Sequence, residues 1–236
     1  MSNLIEMRGL TKVYNAVTAL YNVNLDIESG HIVGLLGPNG SGKTTMIKIL
    51  CGLLCPTSGS VLVDGQPIGV NSKRVISYLP DKTYLDDNKT IKETIELFID
   101  FYPDFDPNRA YDMLSRLGIN PMAKLKTLSK GNKEKVQLIL VMSRHARLYI
   151  LDEPIAGVDP AARDYILNTI ISNYDPQATI LISTHLIADV ESVLDDVIFL
   201  QNGQIALHAS VDDIRANEGK SVDTLFREVY RCLGNY

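Results

Sequence analysis

The chain has 236 residues but only three cysteines, Cys51, Cys55 and Cys232. That is too few for a disulfide scaffold. Cys51 and Cys55 have no further metal ligands near them in sequence, so both read as small buried hydrophobes. No apolar run reaches the ~18 residues a membrane span needs. The N-terminal stretch from Met1 to Arg8 lacks the apolar core of a secretory signal. Net positive charge is also missing. The chain carries 23 Lys and Arg against 28 Asp and Glu, a formal −5, which argues against a general nucleic-acid binder, and no nucleic-acid partner is expected. Repeats, linkers and low-complexity stretches are absent. The expectation is a cytoplasmic globular protein that buries a large core, as one domain or two closely merged ones.

What is present is concentrated in one stretch. Gly37, Pro38, Asn39, Gly40, Ser41, Gly42, Lys43, Thr44 and Thr45 spell G-x-x-x-x-G-K-T, the phosphate-binding loop pattern. The apolar run Ile32–Leu36 precedes it as a buried strand, and Met46, Ile47, Ile49 and Leu50 follow at helical spacing. Glycines let successive N–H groups turn toward one anion, and the helix N-terminus adds positive potential at the same point. Lys43 is placed to neutralise the terminal phosphates and Thr44 to ligate Mg²⁺.

The patterning predicts an α/β fold. Residues 4–27 alternate apolar and polar side chains with a break near Asn15, as paired strands do. Asp64-Gly65 and Asn202-Gly203 are hairpin turns. The helix after the loop is expected over 44–54, a turn over 55–59 and a strand over 75–79. Helical periodicity then runs from Thr90 to His145, punctuated by Pro103, Pro107 and Pro121. Strands resume at 148–151 and 179–183, with helices over about 160–173 and from near His185. Two short amphipathic helices close the chain from Val211.

Two acids, Asp152 and Glu153, end an apolar strand, where open α/β sheets bind ligands. Asp152 suits the Mg²⁺ shell and Glu153 suits a base for an attacking water. His185 follows another apolar strand and can donate to a terminal phosphate or to that water. His31, His145 and His208 lack such a setting and read as structural.

These parts, in this order over roughly residues 4–209, resemble the ATP-binding subunit of ABC transporters, most closely bacterial exporter ATPases of the bacitracin-resistance type. The resemblance implies a P-loop NTPase core, RecA-like and mostly parallel, with an N-terminal antiparallel β subdomain and an inserted helical subdomain. It places the core at about 1–81 and 146–210, the helical subdomain at about 82–145 and a helical tail at about 211–236, all one domain. It implies ATP and Mg²⁺ as ligands and catalytic roles for Lys43, Glu153 and His185. Tyr14 matches the aromatic that stacks on adenine. Ser129 and Gly131 match the signature loop, which caps the γ-phosphate held by a second subunit, and Asp159 matches the loop that couples the two sites. The implied partners are a second copy or a homologous ATPase subunit, and integral-membrane permease subunits docked on the inner face of the cell membrane. The aromatic-rich stretch 82–105 lies where the permease would dock, with its exposed members not readable from sequence. A soluble single cassette uncoupled from transport, as in iron–sulfur assembly, is the alternative. Two departures stand out. Asp81 occupies the place of the family's loop glutamine, so direct ligation of Mg²⁺ by Asp81 is an expectation to be tested. Lys130 replaces the first signature glycine.

Overall fold

The structure is a computed structural model that describes residues 3–156, 158 and 160–231. Long alternating strands β1 (Asn3–Tyr14) and β2 (Val17–Glu28) form an antiparallel pair. Asn15 turns between them at φ 49°, in the left-handed region that asparagine tolerates. β3 (Ile32–Leu36) is buried along its whole length, as a parallel strand covered on both faces must be. The phosphate-loop pattern leads into α1 (Lys43–Leu50). That helix ends four residues short of the expected 54, because Gly52 takes φ 63° and stops it.

β4 (Ser58–Val63) and β5 (Gln66–Pro67) make a hairpin through Asp64-Gly65, whose two positive φ values suit a tight primed turn. The expected 55–59 turn is therefore shorter, since Ser58 already pairs with Thr11. The short helix α2 (Val70–Val75) was not foreseen, and it takes Val75 from the expected strand, leaving β6 as Ile76–Leu79.

The helical block contains α3 (Ile91–Phe101), α4 (Pro107–Arg116) and α5 (Lys130–Met142). Each has a sequence-encoded start. Thr90 and Glu93 form a capping box, Asp106 caps a helix with proline in its first turn, and the Ser129 hydroxyl accepts from Asn132 N–H. The core resumes with β7 (Leu148–Asp152), α6 (Pro160–Ser172), β8 (Thr179–Thr184) and α7 (Ile187–Val190). α7 begins two residues beyond His185, which is left in the preceding loop. β9 (Asp196–Gln201) and β10 (Gln204–Ser210) pair through Asn202-Gly203, and α8 (Val211–Glu218) and α9 (Val222–Arg231) follow.

The strands form two sheets. One is four-stranded, in the order β2-β1-β4-β5, with antiparallel pairs throughout. The other is six-stranded, β10-β9-β3-β8-β7-β6, and is parallel except for the β10–β9 pair. One apolar core lies between the sheets with α1, and a second joins the parallel sheet to the helical block and to α9. Cys51 is buried as expected, with its thiol pushed up to about 12 by burial, but Cys55 is exposed. The chain turns outward after Gly52, and this sets Cys55 beyond the core. Among the described residues no helix is long and apolar enough to cross a membrane.

Candidate active site

Four neighbouring parallel strands end at one edge of the six-stranded sheet. In register, Leu36 faces Thr184, Asp152 faces Ser183, and Leu79 faces Leu151. Each strand hands its next residues to the same place. β3 delivers the phosphate loop, β8 His185, β7 Asp152 and Glu153, and β6 Asp81. A cavity of about 370 Å³ is lined by Asn39, Gly40, Ser41, Gly42, Lys43, Thr44, Thr45, Asp81, Asp152, Glu153 and His185, with Ala19 and Ala156. Those eleven named first were all expected at the site from sequence. Ala19 was not, because a lone alanine in a strand gives no signal.

The loop leaves little room for anything but glycine at two positions. A Cβ on Gly37 would meet the Leu200 carbonyl at 2.4 Å, and one on Gly42, at φ 110°, the Ala19 carbonyl at 2.6 Å. Gly40, at φ 81°, faces open space on the cavity side. The buried Ser41 hydroxyl has no partner among the described residues. An orphaned hydroxyl and an open glycine turn at a helix N-terminus fit an anion. Lys43 Nζ meanwhile donates to the Gly37 carbonyl at 2.6 Å and the Pro38 carbonyl at 3.2 Å. Burial pushes the Lys43 ammonium below its usual range, although Glu153 and Asp152 pull the other way.

The acids complete the picture. Asp152 is buried and accepts from the Ser183 hydroxyl at 2.5 Å. Burial, aided by the nearby Glu153 and Asp81 charges, pushes its carboxyl above the usual range, against the Ser183 bond. Three carboxylates facing one lysine favour an added cation. Among the described residues no cluster of three or more His, Cys, Asp or Glu forms a metal cage on its own. That donor set fits Mg²⁺, which binds through one or two carboxylates plus phosphate oxygens. Glu153 sits at φ 53°, an uncommon backbone conformation for a non-glycine residue, and its carboxylate lies 3.0 and 3.1 Å from His185 Nδ1.

The remaining expected residues lie elsewhere. Tyr14 is 43% exposed with Lys12 Nζ 5.1 Å from its ring centroid, outside the cavity lining. Ser129 and Gly131 start α5, also away from this cavity. Asp159, with Gly157, lies outside the described residues.

The ABC transporter family pattern matches residues 20–156. The chain belongs to the ABC transporter ATP-binding family. This ATPase is 33% identical over 215 residues to the ABC transporter ATP-binding protein YtrB of Bacillus subtilis, covering 90% of this chain and 74% of that one. It is 30% identical to the SkfA peptide export ATP-binding protein SkfE of the same organism, over 99% of this chain and 98% of that one. It is also 30% identical to the lantibiotic transport ATP-binding protein SrtF of Streptococcus pyogenes, over 89% and 92%. The solved ATP-binding subunit of an ABC transporter superposes with a TM-score of 0.85 at 30% identity, covering 96% of this ATPase and 99% of that chain. The fold is shared with a dimeric, ADP- and phosphate-bound cassette, at a TM-score of 0.77 and 24% identity.

Proposed function

We propose that this ATPase hydrolyses ATP between two copies of itself, or with a homologous subunit, and so drives a separately encoded membrane permease of the exporter type. The observation that carries the reading is the convergence of four strand ends on one cavity that suits both phosphate and a divalent cation. The relatives with transport and export names support coupling to a permease over a free-standing scaffold.

The loop N–H groups and Lys43 would hold the phosphates, with the Lys43 contacts to Gly37 and Pro38 giving way to phosphate oxygens. Thr44, Asp152 and Asp81 would hold Mg²⁺, which when bound neutralises charge on the phosphate oxygens. Glu153 takes a proton from water as the water oxygen bonds to the γ-phosphorus and the bond to the ADP oxygen breaks. His185, already at hydrogen-bond distance from Glu153, fixes the carboxylate's direction. Tyr14 would stack on adenine.

The signature loop fits a role in a second subunit. Among the described residues, nothing beyond its chain neighbours and its own helix backbone lies within 4 Å of a Cβ built on Gly131. The Ser129 oxygen accepts from Asn132 at 3.3 Å, which leaves its own hydrogen free to donate outward. Asp159 would couple the two sites. For the permease, an apolar groove of about 670 Å³ runs beside the Asp81 loop, lined by Leu53, Tyr84, Phe98 and Tyr102. Phe101, 74% exposed, and Ile99 stand outside it, whereas Phe105 is buried.

Glu153→Gln tests the reading. The expected result is a fall in turnover of about a hundredfold or more, with an ATP-bound dimer that survives size-exclusion chromatography. Turnover near the wild-type rate would remove Glu153 from the base role.

A further inference from the structure

The loop that carries Asp81 is almost untethered. Among the described residues, segment 80–85 makes no backbone hydrogen bond outside the strand ladder, and one side chain bonds it. That bond runs from Gln137 Nε2 to the Pro80 carbonyl at 3.3 Å.

Gln137 is out of character for its place. It lies two turns along α5 from Ser129, between the buried apolar residues Val136 and Leu138, and is 3% exposed. A leucine would satisfy the packing there. The Pro80 carbonyl can only accept, so the amide nitrogen must face it and the oxygen must point away. That oxygen, Oε1, is buried and has no partner among the described residues. Gln137 lines a cavity of about 520 Å³ walled also by Asp81, Lys82, Thr83 and Glu153. A half-satisfied buried amide is destabilising, and such a group in a helix core marks a requirement other than folding.

We propose that Gln137 is a positioning residue for Asp81: its nitrogen anchors the Pro80 carbonyl, and its free oxygen receives a backbone N–H of loop 81–83 when Asp81 seats at the nucleotide. This rests on the reading of Asp81 as a Mg²⁺ ligand beside the bound nucleotide. Because Gln137 and Ser129 share one helix, the loop facing a subunit's own nucleotide is tied to the signature turn facing the other subunit's nucleotide.

The test uses the full chain and Gln137→Leu. The chain has no tryptophan, so Thr83→Trp places a single indole in the loop. With Gln137→Leu the melting temperature should hold or rise, because a half-satisfied buried amide is removed. The indole anisotropy should fall. The kcat should drop about tenfold through misplacement of Asp81, with KM for ATP moving less than about twofold if ground-state binding is spared. The Mg²⁺ concentration for half-maximal turnover should rise. In an Asp81→Asn background, Gln137→Leu should add little, since both act through one group. Unchanged anisotropy and kcat would overturn the proposal, as would effects that multiply across the two substitutions. If Asp81→Asn alone leaves turnover and Mg²⁺ dependence intact while Gln137→Leu still loosens the indole, the Asp81 assignment falls and the tether stands.

Discussion

At the candidate phosphate site each residue's type is bound to its spacing. A lysine six residues after the first glycine of such a loop, or two acids after four apolar residues, has few other uses. What escaped was set by geometry that no spacing records. Gln137 is a polar residue at an apolar helical position, and only the approach of Pro80 gives it meaning. Cys55 looked like Cys51, but one lies inside the core and the other past the turn. Gly131 is a sharper case, since its own chain makes no demand for glycine there. Gly131→Ala should therefore leave the isolated subunit's melt unchanged or stabilise it by up to about 1 kcal/mol. ATPase activity should fall about tenfold or more, as a Cβ would block close approach of a backbone donor to phosphate. Equal activity in the variant would remove Gly131 from the composite site.

At the scale of elements, starts were clearer than ends. Helix starts carry side-chain signals, and the boxes and caps of α3, α4 and α5 use them. Ends depend on where a left-handed residue fits, as at Gly52, so α1 stops early. α2 has only six residues and no run long enough to declare a period. Hairpins were the most readable elements, since Asp64-Gly65 and Asn202-Gly203 need two positive φ values in succession. The capping box before α3 makes a direct prediction. Thr90→Ala removes the acceptor for Glu93 N–H and should cost about 1 kcal/mol, read as a shift of the urea midpoint with the slope unchanged. Turnover should be preserved when assayed well below that midpoint.

For the molecule as a whole, the change in period along the chain made the paired N-terminal strands and the helical block visible, and the split into an antiparallel and a mostly parallel sheet came with the family resemblance. The way the layers are fastened was not visible. At the sheet edge away from the site, His31 Nδ1 lies 2.5 Å from Asp196 Oδ2, and Ile32 N–H donates to Asp195, joining β9 to β3. The Asp196 bond raises the His31 imidazole above its ordinary 6.5, outweighing partial burial. A raised folded-state value means the stabilisation is fully present below pH 6.5 and is lost as pH climbs through the raised value. The melting difference between wild type and His31→Gln should therefore be largest in mild acid and shrink toward alkaline pH. Parallel melting curves across that range would show that the pair contributes no pH-dependent stability.

The outermost strand of the parallel sheet, β6, has a further property. Its Ile76 carbonyl accepts from Arg144, the Pro80 carbonyl just past it from Gln137, and the Ser77 hydroxyl donates to Val141 in α5. A bare strand margin is an invitation to add strands from other molecules. Here Gln137 from α5 and Arg144 just after it occupy that margin, so the Ile76 and Pro80 carbonyls are already taken. With those two acceptors taken, edge-to-edge stacking of copies through β6 is disfavoured.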